Sequence, residues 1–365
     1  MTSAQTGEPT VLVTGGTGLV GSAIIEAMSD MTVVSLSRHG AAGWPERSTQ
    51  RGASASSLLP ALHGHVVPLA GERDGLSHLA GDVTQPLLGL GKRGYEDLAA
   101  SVDLIVHAAG VSDFTTPRDA TNALNVGGTR EILAFAERAG RPLYHISTGY
   151  VQSQGTTLNG RWGAGVYIDS KQRAEELLHE SAVLAAIIRP SIVFSDSQTG
   201  WSPSFQGLHR IIGMTLEDKI PLLPFPPEVR LDFLPRDVIG HTTADLVRRR
   251  FNGEFWLTAG AAALTFGRIT ELLIHYGETL GLALHPPRFV SQEMIDRLLK
   301  PAGGKAVARR IDLLVALTSH FSSAPELPSS LPDSHKGDLE DAFLKGACYW
   351  ARENGYTTAL TRVGA

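Results

Sequence analysis

Short apolar runs alternate with stretches of helical spacing through the first half of the chain. Thr10–Thr14, Thr32–Leu36, Leu79–Val83, Val102–Ala108, Pro142–Ser147 and Ala185–Phe194 are runs of strand length with little polar alternation. Ser22–Met28 opens a helix, Asn122–Ala139 has helical spacing, and Tyr167–Glu180 reads as a helix rich in Lys, Arg and Glu. Strands without polar alternation are buried on both faces, and their alternation with helices predicts an α/β fold with a doubly wound parallel sheet. Residues 39–75, poor in pattern and rich in Gly, Ala and Ser, read as a loop-rich insertion carrying one hairpin. After residue 194 the character changes. Residues 195–230 are proline-rich and irregular around one helix near 204–216, Pro235–Arg250 is helical, and Glu254–Thr258 is one further strand. The remainder reads as helices with short strands.

Composition trims the function classes. A chain of 365 residues holds about two domains of roughly 150 residues. Hydrophobic residues are 42% and charged residues 19%, enough for a sizeable core. A net charge of −5 gives no general pull toward nucleic acid or an anionic membrane. The single cysteine, Cys348, excludes an intramolecular disulfide and a cysteine metal cluster. The stretch Met1–Thr10 is polar, and no apolar run approaches the roughly 20 residues of a membrane helix. The expectation is a soluble cytoplasmic protein without a membrane span or a nucleic-acid partner.

Thr14-Gly15-Gly16-Thr17-Gly18-Leu19-Val20-Gly21 follows the first strand and opens a helix. Three glycines at a spacing of three suit a dinucleotide-binding turn. Gly15 makes the tight turn, Gly18 lets a pyrophosphate approach the backbone, and Gly21 lets the helix pack on the sheet. The helix N-terminus adds unpaired N–H groups. A Rossmann-type domain is therefore expected over residues 1–194. An NAD enzyme usually carries an acidic residue at the end of the second strand; here Ser37 and Arg38 stand there, and the next acidic residue is Glu46. A guanidinium pairs with a 2′-phosphate, so the expected cofactor is NADP.

Of seven tyrosines, only Tyr167 has a lysine, Lys171, four residues later. That spacing puts a phenol and an ammonium on one helix face, and the ammonium is expected to lower the phenol's pKa. Thr148 sits where the fifth strand ends, the edge where ligands bind in open α/β sheets. Its hydroxyl can donate to a carbonyl oxygen that gains charge. The neighbouring Ser147 is read as loop support.

At this point the chain resembles the extended short-chain dehydrogenase/reductases. The resemblance spans about residues 10–260 and rests on TGGTGLVG, HAAGVSDF (107–114), NVGGT (125–129), ISTGYV (146–151), YIDSK and IRPSIVF (188–194). It implies a catalytic Thr148, Tyr167 and Lys171, with Asn125 propping the lysine through water. It further implies cofactor contacts at Ala108, Ala109, Gly110, Pro190, Ser191, Ile192 and Val193, and at Asp82 and Val83 toward the adenine. Finer features are similar to the branch of thioester reductases and fatty acyl-CoA reductases of male-sterility type: GDVTQPLLGLG (81–91), SKQRAEELL (170–178), Gly200-Trp201 and LDFLPRDVIG (231–240). Leu19, Gln172 and Arg236 depart from residues common in that branch, and the large extra C-terminal domain of the long alcohol-forming reductases is not found. The branch implies reduction of an acyl thioester, on coenzyme A or an acyl or peptidyl carrier protein, to an aldehyde or alcohol. The alternatives are an NADP-linked aldehyde or ketone reductase, a nucleotide-sugar epimerase or dehydratase, and a non-catalytic NADP-binding regulator.

The substrate region is expected from residues 195–230 and 260–365, with 231–259 returning to the first domain. Weaker signals read as structure. His107 is expected to pack near the cofactor, and Cys348 to lie in the core. The thirteen histidines show no metal-site spacing, so no metal is expected. Phe205, Leu208, Ile211, Ile212 and Met214 suit an acyl pocket or plain helix packing equally. Arg288, Arg297, Lys300, Lys305, Arg309 and Arg310, set against Glu293 and Asp296, suit a solvated face or an acidic partner.

Overall fold

A computed structural model describes residues 8–39, 66–67, 75–153, 157, 160–161, 163–295, 297, 318, 320–321 and 326–356. β1 (Thr10–Thr14) lies inside the main sheet. β2 (Thr32–Ser37), β4 (Leu76–Ala80) and the two-residue β3 (Val66–Val67) extend it on one side; β5 (Leu104–His107), β6 (Leu143–Ile146), β7 (Ala185–Pro190) and β12 (Gly253–Leu257) extend it on the other. Seven strands run parallel and β3 pairs antiparallel to β4. This is a Rossmann-type sheet. Chain order reverses between β1 and β5, and the crevice beyond their carboxyl ends is where such sheets take ligands.

The continuous apolar runs are buried on both faces, as parallel strands require. Val11, Val13, Val33, Val106 and Ile188 face one core, while Leu12, Val34, Ile105, Leu143 and Ile187 face the other. Each such side chain stabilises the fold by about 1.5–3 kcal/mol. Helix α1 (Leu19–Ala27) packs on α7 (Arg236–Arg248) at the first face, close enough that a Cβ on Gly240 would meet the Ala23 backbone. Arg236 locks this pair. The residue is 1% exposed, and its guanidinium donates to both Glu26 oxygens at 2.8 and 2.9 Å and to Ser22 Oγ at 2.9 Å. It also lies 4.7 Å from the centre of the Trp201 ring.

Several boundaries differ from the sequence reading. The third parallel strand is Leu76–Ala80, three residues earlier than expected, and Asp82 and Val83 lie in the turn after it. The stretch expected as one strand over Ala185–Phe194 is two. β7 ends at Pro190, and β8 (Ile192–Phe194) leaves the main sheet to pair with β11 (Phe233–Pro235). Asn122–Ala139 is interrupted: α3 (Arg118–Asn122) passes through a π turn, Ala123–Gly127, into α4 (Gly128–Ala139). Helix α2 (Gly91–Ser101) has no counterpart in that reading, because only Gly94, Tyr95, Leu98 and Ala99 give it a buried face. Most of the 39–75 insertion lies outside the described residues.

The remaining described part is built from α5 (Ala164–Glu180), α6 (Leu208–Leu216), α8 (Phe266–Thr279), α9 (Leu339–Glu353) and two short strand pairs, Leu222–Leu223 with Arg288–Phe289 and Arg230–Leu231 with Leu264–Thr265. Gly213 of α6 leaves room for the Trp350 indole of α9. Cys348 corrects an expectation: it is exposed on α9, because the buried face of that helix is carried by Ala342, Phe343, Gly346, Ala347 and Trp350. Among the described residues no helix is long and apolar enough to cross a membrane.

Candidate active site

The glycine turn joins β1 to α1. Gly15 has a φ of +74°, a conformation that disfavours a side chain, and a Cβ there would lie 2.5 Å from the Ala109 nitrogen. A Cβ on Gly21 would collide with the Gly15 carbonyl, and Gly18 caps α1. Thr17, Gly18, Leu19 and Val20 keep surface open, and the first turn of α1 holds no acidic residue that would compete with a phosphate. These residues fit a pyrophosphate. Thr14 Oγ1 meets His107 Nδ1 at 2.7 Å and lies 3.4 Å from the Ala109 nitrogen, which ties the turn to the end of β5.

The other expected cofactor residues lie along the same sheet edge. Ser37 ends β2 and Arg38 follows it, exposed and without an ion pair among the described residues. Asp82 is held by Thr84, whose N–H and hydroxyl donate to Oδ1 at 2.9 and 2.8 Å. Val83 packs beside Gly128. Pro190 and Ser191 are buried at the end of β7, with Ile192 and Val193 partly buried beyond. Ala108, Ala109 and Gly110 run from the glycine turn toward the catalytic candidates, since a Cβ on Gly110 would sit 3.2 Å from Asn125 Oδ1 and 3.4 Å from Lys171 Nζ.

Helix α5 crosses the end of β6 and brings Thr148, Tyr167 and Lys171 together. Lys171 Nζ donates to the Ile146 carbonyl at 2.9 Å. Thr148 Oγ1 accepts from the Tyr150 N–H at 3.3 Å, and its side chain lies close enough to the Tyr167 phenol to pull that group's pKa down. The expected acidification of that phenol does not occur. Tyr167 keeps part of its surface open, yet burial around its hydroxyl pushes its pKa up to about 12, against a smaller downward pull from Thr148. Burial pulls Lys171 down to about 8, which Glu175 opposes. Desolvation, and not the attraction that the Tyr–Lys spacing suggested, dominates the phenol's shift.

Asn125 sits in the π turn, a device frequent at functional sites. Its Oδ1 accepts from the Val111 N–H at 2.7 Å, and its Nδ2 donates to the Val111 carbonyl at 3.1 Å and to Ser170 Oγ at 2.9 Å. It therefore fastens the loop after β5 to α5. His107 is buried and pushed down to about 3, so it stays neutral beside Lys171.

Other features escaped the sequence reading. An aromatic wall runs from Tyr167 to Phe114 (5.4 Å between ring centres), on to His320 (5.1 Å) and from there to Tyr150 (5.0 Å). Glu175 and Arg189 form a buried ion pair beneath the site. A lone Arg within the apolar run Ala185–Pro190 was the available signal for that pair. Leu208 and Ile212 are core residues and Met214 is exposed, so the helix face expected over 205–214 is largely packing. Of the basic run, Arg288 and Arg297 are exposed; Lys300, Lys305, Arg309 and Arg310 lie outside the described residues. Among the described residues no group of His, Cys, Asp and Glu could hold a metal ion.

Comparison with known proteins agrees with this geometry. The chain is 33% identical over 149 residues to a glycine betaine reductase of Emericella nidulans, covering 39% of this chain and 11% of that protein. It is 29% identical over 215 residues to an isonitrile lipopeptide synthase of Mycobacterium tuberculosis, covering 52% and 8%. The chain thus spans about a tenth or less of the length of these curated relatives. In structure it resembles the terminal R domain of the myxalamid PKS-NRPS biosynthetic pathway, with a TM-score of 0.66, 21% identity and coverage of 97% and 93%. It also resembles the R domain of a nonribosomal peptide synthetase from M. tuberculosis, with a TM-score of 0.61, 19% identity and coverage of 96% and 93%. Residues 13–243, well over half of the chain, match the male sterility protein family, and the chain belongs to that NAD(P)-binding family of the extended short-chain dehydrogenase/reductases.

Proposed function

We propose that this chain is an NADPH-dependent reductase of acyl thioesters carried on coenzyme A or on a carrier-protein arm, giving an aldehyde or an alcohol. One observation carries the reading. The Thr148 side chain adjoins the Tyr167 phenol just beyond the carboxyl end of β6, near the Lys171 ammonium and the glycine turn. NADPH, which the residues of that turn would hold, would supply the hydride. With a pKa of about 12, Tyr167 is protonated at neutral pH and acts as a donor. It and Thr148 both donate to the thioester oxygen as charge grows there. Collapse of the tetrahedral adduct expels the thiol and leaves an aldehyde; a second reduction, with a proton from Tyr167, gives the alcohol. Residues 195–230 and 260–365 form the substrate region in this reading, and residues 1–194 with 231–259 the nucleotide-binding one.

The test is NADPH consumption with a panel of acyl-CoAs, carrier-bound acyl groups and free aldehydes. Oxidation with thioesters supports the reading; oxidation with aldehydes alone makes the chain a carbonyl reductase. Nucleotide-sugar turnover without net NADPH oxidation points to an epimerase instead.

Arg38 supports NADP over NAD, since it follows the end of β2, exposed and without an ion pair among the described residues. Hydrogen bonds to charged groups contribute about 1.5–3 kcal/mol, so Arg38→Ala raises the NADPH Kd by roughly 10- to 100-fold and leaves that for NADH unchanged. Equal losses for both cofactors, by titration, would remove the assignment. Burial holds the Lys171 pKa down at about 8, and in this reading its ammonium is the form that would bind the nicotinamide ribose. As pH rises through that value the lysine loses its proton and kcat falls; a profile that stays flat well above it would contradict this role.

A further inference from the structure

Three residues of α5, each four apart and so on one helix face, meet Ile146, the last residue of β6, and the two residues that follow it. Tyr167 adjoins Thr148, Lys171 Nζ donates to the Ile146 carbonyl, and Glu175 Oε1 accepts a hydrogen bond from the Ser147 hydroxyl. Ser147 and Glu175 are both buried. A buried carboxylate needs a partner and further hydrogen bonds. Arg189 of β7 supplies them, with Nε at 2.9 Å from Oε1 and a second nitrogen at 2.6 Å from Oε2. Its remaining nitrogen donates to Glu254 of β12 at 2.6 Å, and the Trp256 ring covers it at 4.8 Å. His179 meets the same Glu254 at 2.9 Å. The array runs from the exposed edge of β12 to the strand end under the catalytic hydroxyls.

We propose that Glu175 is a positioning residue for the reductase: clamped by Arg189, it fixes Ser147 and thereby the Ile146–Thr148 strand end on which Thr148 and Lys171 depend. A buried ion pair that merely joins α5 to β7 would be complete without Ser147. Instead Glu175 Oε1 is shared between Arg189 and the residue that adjoins Thr148. Glu175 also bears on Lys171. The groups around that ammonium are Tyr167 and Glu175 on its own helix, His107 on β5, His145 on β6 and the amide of Asn125. Burial keeps both histidines neutral and the phenol is protonated, so Glu175 is the charge that favours the ammonium.

Two variants test this. Ser147→Ala removes the strut and leaves the ion pair intact. Glu175→Gln combined with Arg189→Met removes both charges together and so avoids an unpaired buried arginine. Ser147→Ala is expected to lower kcat about tenfold or more with unchanged KM and NADPH Kd, and Ser147→Thr to recover most of the loss. In the double variant the Lys171 ammonium, followed by NMR of lysine-labelled chain and assigned with Lys171→Met, titrates at lower pH, and the alkaline limb of kcat moves with it. A purely structural pair would lower thermal stability while leaving the limb and the Lys171 titration in place. Unchanged kcat in Ser147→Ala overturns the proposal, and that variant decides alone should the double variant not fold. The kinetic arm rests on the reductase reading; the lysine titration does not, so a chain that reduces no thioester fails there without settling the role of Glu175.

Discussion

Tyr167→Phe lowers kcat by roughly 10³-fold while the NADPH Kd stays near its wild-type value. The phenol is the one group at the site that pairs a proton firmly held at neutral pH with a position against the Thr148 hydroxyl. Its ring contacts Phe114 and its helix packs through residues that do not involve the hydroxyl, so phenylalanine keeps the shape of the site. Thr148→Val should lose less, because Tyr167 still donates to the oxyanion. Single-turnover NADPH oxidation separates the chemical step from release, and fluorescence titration reads the cofactor. A Tyr167→Phe variant that turns over at the wild-type rate would mean that the proton comes from elsewhere, and the assignment of this site would fail with it.

Gly15→Ala is the second large effect, and it acts on binding. At a φ of +74° a methyl group is strained, and here it would also press on the Ala109 nitrogen at 2.5 Å. Strain and overpacking together cost about 2–5 kcal/mol. The turn relieves the contact by moving away from Ala108 and Ala109, which displaces the N–H groups at the start of α1. The NADPH Kd then rises by roughly 100-fold, equivalent to about 2.7 kcal/mol, and Tm falls. Calorimetric unfolding and NADPH titration check both, and wild-type values in each would show that the turn accommodates a side chain.

How far these features could be read beforehand depends on how local they are. β1 and β2 were legible because TVLVT and TVVSL are short, β-branched and uninterrupted. The next strand was misplaced because Leu76–Ala80 carries a buried histidine, His78, which breaks its apolar run while Val83 prolongs one beyond it. The break at Ser191 depends on Phe233–Pro235, some forty residues away, and nothing near it in sequence announces a change of sheet. The Tyr167–Lys171 pairing was visible because four residues make one helical turn. The direction of the phenol's shift was not, since burial is a property of the folded chain. Glu175 and Arg189 belong to different elements, and only a charge stranded in an apolar strand hinted at them.

The Arg236 clamp has a consequence for protein engineering. The arginine opens α7, grips two side chains of α1, the helix that follows the glycine turn, and lies over a tryptophan from residues 195–230, the segment proposed above to bind substrate. A recombinant hybrid that grafts a foreign acyl-recognition region at residue 195 would separate that tryptophan from its arginine. Functional chimaeras should therefore carry Ser22, Glu26, Trp201 and Arg236 as one inherited set, whichever parent supplies the rest.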